Sequence, residues 1–243
     1  MSLDSLVQHN KPELTMLEQT LGYRFTDLRL LQMALVHTSY AFENSFAGED
    51  NETLEFLGDA VLDLVVGAAL FKRFPAMREG ELTRLRAAMV NEAYLATMAR
   101  NVDLGRFLSL GKGEDASNGR NKSSILSCAY EAVIGAIFED GGYATVRDFV
   151  LRFFVPTFDE RREDLLIADA KSRLQEALQE QFNEAPSYRL DLEEGPSHQR
   201  IFTVSVIFRE IVLGSGSASS KKEAEQRAAA ATLAEYDQMI ALL

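Results

Sequence analysis

Residues 51 to 66 read Asn-Glu-Thr-Leu-Glu-Phe-Leu-Gly-Asp-Ala-Val-Leu-Asp-Leu-Val-Val, and this stretch organises the rest of the chain. Its four acids, Glu52, Glu55, Asp59 and Asp63, are spaced by three, four and four residues, which is a helical spacing. At about 100° per residue they fall within roughly 80° of arc, so one stripe carries negative charge and the remaining circumference is fit for burial. Leu54, Leu57, Val61, Leu62 and Val65 fill that circumference. Carboxylates crowded beside apolar walls repel one another and lose hydration, so they take up protons or share a cation. A set of oxygen donors selects a hard metal, Mg²⁺ or Mn²⁺, over zinc. The alternative is the wet face of an amphipathic helix. Gly58 in its midst has poor helix propensity, which points to a close approach by another part of the chain.

The run Asn-Glu-x-Leu-Glu-Phe-Leu-Gly-Asp-Ala-Val-Leu also resembles the signature of the ribonuclease III family of double-stranded-RNA endonucleases, with eleven of twelve positions matching. The resemblance continues through Tyr130-Glu131-Ala132-Val133-Ile134-Gly135-Ala136-Ile137 to Asp140-Gly141-Gly142. It breaks at Cys128, three residues before Glu131, where the family carries an aspartate. Residues 124 to 138 read as a helix buried through Ile125, Ala129, Ala132, Val133, Ala136 and Ile137. Glu131 sits among them with no basic neighbour at i±4, and a metal shared with Glu55 and Asp59 would supply its missing partner.

The composition fits this reading once its distribution is considered. A chain of 243 residues with 47% hydrophobic side chains holds one large or two modest domains. It has no apolar run of membrane-span length and no basic start leading into an apolar block, so a cytoplasmic protein with no membrane partner is expected. One cysteine excludes an internal disulfide framework and a cysteine-rich zinc site. The net charge of −12 opposes phosphate binding at first sight. Residues 170 to 243 hold 8 basic and 11 acidic side chains, leaving 17 and 26 for residues 1 to 169, so any contact with RNA must come from local clusters.

Residues 12 to 45 read as helices, with Leu14, Leu17 and Leu21 at helical spacing before Gly22, then Leu28, Leu31 and Leu35. His37 in His37-Thr38-Ser39-Tyr40 lacks a nucleophile or acid partner nearby in sequence and is assigned a structural role. Glu79 and Glu81 favour a helix N-terminus; the family has a similar Glu-Gly-x-Leu-Ser/Thr element, whose glutamate, matching Glu79, implies metal or RNA contact. The segment Gly111-Lys112-Gly113-Glu114, followed by Gly119-Arg120-Asn121-Lys122, reads as a flexible loop with cations. It is no P-loop, because G-x-x-x-x-G-K-[ST] is not met. Asp159 to Ala168 reads as a linker or a frayed helix end.

A second unit follows, with a helix at Lys171 to Phe182, strands at Tyr188 to Leu192, Ile201 to Phe208 and Ile211 to Gly216, and an Ala-rich helix from Lys221 to Leu242. The α-β-β-β-α order resembles the double-stranded-RNA-binding domain, and Lys221-Lys222-Glu223-Ala224-Glu225-Gln226-Arg227-Ala228-Ala229 is its most specific motif. A reader of A-form RNA needs polar side chains on one helix and cations at the start of another. Ser172, Gln175, Glu176 and Gln179 form the first set, and Lys221 and Lys222 at a helix N-terminus form the second. Taken without the family, the two lysines read as a solvated helix start. His198, in the loop between the first two strands, would reach a second minor groove.

The expectation is an all-α endonuclease domain over residues 10 to 160 followed by an α+β double-stranded-RNA-binding domain over residues 170 to 240. The resemblance implies a homodimer that cleaves double-stranded RNA to 5′-phosphate and 3′-hydroxyl ends in rRNA and mRNA processing. Glu55, Asp59 and Glu131 would hold Mg²⁺, with Mn²⁺ as a substitute, and Asp59 and Glu131 would be catalytic. Cys128 occupies the position of the family's remaining metal-site aspartate. Glu52 and Glu79 are assigned to the dimer seam or the RNA backbone, and Asp63 to a supporting or exposed position. One rival is an RNA-binding protein whose cleavage is weakened or lost through Cys128. A carboxylate-bridged di-iron bundle is the other, but none of the three histidines follows a glutamate by three residues.

Overall fold

The computed structural model describes residues 2–44, 49–196 and 199–236. The chain divides into two units, one ending at Phe158 and the next beginning at Asp159. The first unit is helical. Its opening helix α1 (Leu3–Leu21) starts well before residue 12, capped by the Ser2 hydroxyl accepting from the Ser5 N–H. Pro12 lies inside this helix, where its missing N–H and its ring cost about 3 kcal/mol. Burial of Leu3, Leu6 and Val7 ahead of it and of Leu14 and Leu17 behind it offsets that cost, which a reading led by proline misses.

Helices α2 (Leu28–Ala34) and α3 (Thr38–Asn44) lead to α4 (Glu52–Arg73), which contains the acidic stripe. Helix α4 buries Leu54, Val61, Leu62, Val65, Val66 and Leu70 along its length. Helix α4 ends just before Pro75, as the proline predicts, and α5 (Glu79–Met89) and α6 (Glu92–Asn101) follow. The short helices α7 (Leu104–Phe107) and α8 (Lys112–Ala116) precede α9 (Ser123–Phe154). Helix α9 runs beyond the expected Phe138, broken at Gly142, whose φ of 74° lies in the left-handed region open to glycine. Just ahead of the break, the Asp140 carboxylate accepts from the Tyr23 hydroxyl at 2.6 Å and from the backbone N–H groups of Thr26 and Asp27, tying the α1–α2 connection to α9.

Helices α4 and α9 cross with their backbones in direct contact. A Cβ added to Gly58 would lie 1.8 Å from the Glu131 carbonyl oxygen, and one added to Gly135 would lie 2.1 Å from that of Leu54. Two missing side chains therefore let the two backbones touch where the acids of both helices face one another.

Residues Phe158–Ala168 form a helix, α10, where a linker or frayed end was expected; its lack of an apolar stripe left no periodic signal. The second unit continues with α11 (Ala170–Phe182), β1 (Ser187–Glu194), β2 (Ile201–Phe208), β3 (Ile211–Ala218) and α12 (Lys221–Ala234). The strands form an antiparallel sheet in the order β1-β2-β3, with Tyr188 opposite Val206 and Val206 opposite Gly214. Ala170, Leu174 and Leu178 of α11, Val206, Phe208 and Leu213 of the sheet, and Ala228 and Ala229 of α12 form its core. The alanines of α12 lie low against β3, where Gly214 and Gly216 leave room for the helix backbone.

Candidate active site and RNA-binding surface

The crossing of α4 over α9 brings Glu55 to Cys128 and Glu131. One ligand atom from each of these three side chains lies within 4.8 Å of the others, and all three residues are half-buried. Cys128 and Glu131 share a face because they are three residues apart on α9. Glu55 reaches them because Gly58, three residues along α4, allows the approach.

The electrostatics follow from this enclosure. Burial, reinforced by the carboxylates of Asp59 and Glu55, raises Glu131 from an ordinary 4.5 to about 7. Burial also pushes the Cys128 thiol up to about 12, helped by its hydrogen bond to Glu55 and by the charges of Glu55 and Glu131, and opposed by Ser127. Two or three carboxylates with one partly protonated make an oxygen set suited to a hard divalent cation, and the thiol is the one donor in the group that does not match such an ion.

Asp59 is exposed one turn beyond Glu55 and stands outside the converging trio, although it is near enough to act on Glu131. Asp63 pairs with Arg86 of α5 at 3.5 Å. Glu52, in the first turn of α4, is exposed. Glu79 is also exposed and accepts a hydrogen bond from the Thr83 hydroxyl at 3.0 Å.

His37 has a structural place. Its Nδ1 accepts from the Ser39 N–H at 3.2 Å and lies 2.8 Å from the Ser39 hydroxyl, whose oxygen accepts from the Gly111 N–H at 2.9 Å. The Gly-rich segment expected to be a flexible loop with cations folds instead into α8 and a 3-10 turn at Gly119–Asn121. Two of its cations are used internally. Lys122 binds Glu114 at 2.6 Å, which holds that carboxyl below its ordinary range, and Arg120 binds Asp115 and the carbonyls of Gly105 and Leu108.

In the second unit Ser172, Gln175, Glu176 and Gln179 all lie on the exposed side of α11. Lys221 and Lys222 are exposed in the first turn of α12, where Ser220 caps the helix by accepting from the Glu223 N–H at 3.2 Å. Lys221 also lies 3.9 Å from Glu193 and over the Phe202 ring. His198 falls outside the described residues.

Two features escaped the sequence reading. Lys171 bridges α11 to Glu225 of α12 across the Tyr188 ring, a pairing between residues 54 apart that no local spacing reveals. Phe56 is 80% exposed, with Leu64 at 58% and Phe71 at 70% along the same side of α4, and Phe42 of α3 is 90% exposed. The sequence gives no sign that these apolar side chains face solvent, and only the exposure sets them apart.

Comparison with known proteins gives the same division. Residues 27–158 match the Ribonuclease-III-like family and residues 170–236 the double-stranded RNA binding motif. The Ribonuclease 3 of Desulfotalea psychrophila is 67% identical over 234 residues, covering 96% of this chain and 97% of its own length. The Ribonuclease 3 of Symbiobacterium thermophilum is 49% identical over 211 residues, covering 87% and 89%. Among solved structures, the nuclease domain of the ribonuclease III of Campylobacter jejuni, described with a structurally flexible region involved in dimer formation, is 45% identical with a TM-score of 0.55. The match covers 59% of this chain and 97% of that one. A helical nuclease unit followed by a duplex-binding unit defines an endoribonuclease of double-stranded RNA. The chain belongs to the ribonuclease III family.

Proposed function

We propose that this enzyme hydrolyses the phosphodiester backbone of double-stranded RNA with Mg²⁺, for which Mn²⁺ can substitute, leaving 5′-phosphate and 3′-hydroxyl ends. The convergence of Glu55 and Glu131 from two helices, beside Asp59, carries this reading. Glu55, Asp59 and Glu131 would hold the divalent cation, which supplies charge neutralisation at the phosphate and activation of water when bound. Glu131, raised to about 7, is poised to give up its proton as positive charge arrives. Asp59 and Glu131 are the catalytic pair in this reading. The exposed position of Asp59 gives the RNA backbone access to its carboxylate.

Residues 10 to 160 form the cleaving domain and residues 170 to 240 the reading domain. The exposed polar row of α11 meets 2′-hydroxyls in a minor groove, and Lys221 and Lys222 add their charge to the N-terminus of α12 at a phosphate. Glu52 and Glu79 lie at the dimer seam or against the RNA backbone.

The working form is a homodimer. The exposure of the large apolar side chains Phe42, Phe56, Leu64 and Phe71 supports this, because such side chains are suited to burial by self-association through a twofold interface. The dimer works in the cytoplasm on rRNA and mRNA precursors. Incubation of the purified protein with a long RNA duplex and Mg²⁺, with analysis of the product termini, tests the reading. Short duplexes bearing 5′-phosphates are expected, and chelation should stop their formation. Intact RNA with both Mg²⁺ and Mn²⁺ would contradict it and favour a binding protein.

A further inference from the structure

We propose that Cys128 makes this site a receptor for a thiophilic divalent cation of the zinc class, which binds through the Cys128 sulfur together with Glu55 and Glu131 and competes there with Mg²⁺. The inference rests on the proposed assignment of Glu55, Asp59 and Glu131 to a divalent cation and adds a selectivity to it.

The donor set itself carries the argument. One sulfur and two carboxylates converge from two helices, with ligand atoms within 4.8 Å of one another. Zinc takes thiolate sulfur at about 2.3 Å and carboxylate oxygen at about 2.0–2.2 Å, so donors across one ion lie no more than about 4.5 Å apart. The 4.8 Å within which the trio lies is close to that limit, and the backbone approach at Gly58 sets the two helices against each other. A hard cation gains little from sulfur and must take its remaining ligands from Asp59 and water. A borderline-soft cation gains a strong bond from the same atom. On binding, the S–H bond breaks, its proton passes to solvent and the sulfur lone pair is donated to the cation, with no change of oxidation state.

The single cysteine of the chain gives the test an unambiguous reporter. Full-length protein stripped with chelator is titrated with Cd²⁺ and followed by the ultraviolet thiolate-to-cadmium charge-transfer band. The same titration is run on Cys128→Ser and Glu131→Gln, with circular dichroism to verify folding. The band should appear in the parent, be absent in Cys128→Ser and be reversed by Zn²⁺. Zn²⁺ affinity should fall by at least about tenfold in Cys128→Ser, a change of about 1.4 kcal/mol. Binding of Mn²⁺, read separately by electron paramagnetic resonance, should depend on Glu131 and survive the serine substitution. If Mn²⁺ binds in this way but Cd²⁺ produces no band, sulfur stands outside the coordination sphere, and the selectivity is wrong while the carboxylate site stands. If Mn²⁺ binding is also absent from the parent, both the site and the inference built on it are wrong.

Discussion

Gly58 of α4 and Glu131 of α9 meet so closely that a Cβ on the glycine would lie 1.8 Å from the glutamate's carbonyl oxygen. The crossing that aligns the acids of the two helices therefore depends on a missing side chain. Gly58→Ala should force the helices apart, lowering stability by about 1–3 kcal/mol, as overpacking does. It should also reduce cleavage, because Glu55 moves away from Glu131. Chemical denaturation and initial rates on one preparation measure both effects, and a variant with parental stability and activity would mean that the crossing is not tightly set.

The raised acid makes the metal-free protein sensitive to pH. Between 4.5 and about 7 the folded state binds more protons at Glu131 than the unfolded state does. The contribution of Glu131 to stability therefore falls as pH rises through that window and levels off above it. The stability difference between Glu131→Gln and the parent, measured in chelator, should grow in favour of the glutamine over this range. Calorimetry in buffers of different ionisation enthalpy should show proton release when a divalent cation binds near about pH 6 and less near about pH 8. Equal release at both values would mean that Glu131 is not coupled to the cation.

Phe56 and Leu64 together provide a test of the dimer. Both are exposed on α4, so Phe56→Asp with Leu64→Asp should leave the fold intact and shift sedimentation toward the monomer. An unchanged sedimentation coefficient would put the interface elsewhere.

Lys221→Ala with Lys222→Ala should weaken binding to all duplex sequences about equally, because contacts at phosphates position the protein without specifying sequence. The slope of log affinity against log salt should become shallower by roughly one to two. A loss confined to some sequences, or an unchanged slope, would place the phosphate contacts on other residues.

Much of this architecture is legible in the sequence where a local pattern has a local cause. The spacing of Glu52, Glu55, Asp59 and Asp63 gives the acidic face of α4, and Gly58 among leucines and valines signals a close approach. The alternating strands and the lysine pair before an alanine run give the second unit. Patterns whose cause lies elsewhere in the chain are not legible. Pro12 sits inside α1 because residues distant in sequence bury the turns on both sides of it. Lys122 and Arg120 look like free cations until the fold brings Glu114 and Asp115 to them. Asp59 and Asp63 share a stripe with Glu55, yet the crossing point favours Glu55, and Arg86 of another helix takes Asp63. Phe56 lies in the same run as the buried leucines and valines, and only its exposure marks it as a surface residue.

In the proposed reaction Glu131 acts in cleavage through a divalent cation and takes no part in RNA binding. The most direct test is Glu131→Gln, with cleavage and duplex binding measured on the same preparation. Cleavage should fall far beyond tenfold, a step of about 1.4 kcal/mol in the barrier, while affinity for the duplex stays near that of the parent. Cleavage retained within about tenfold of the parent would contradict the assignment of Glu131 to the cation.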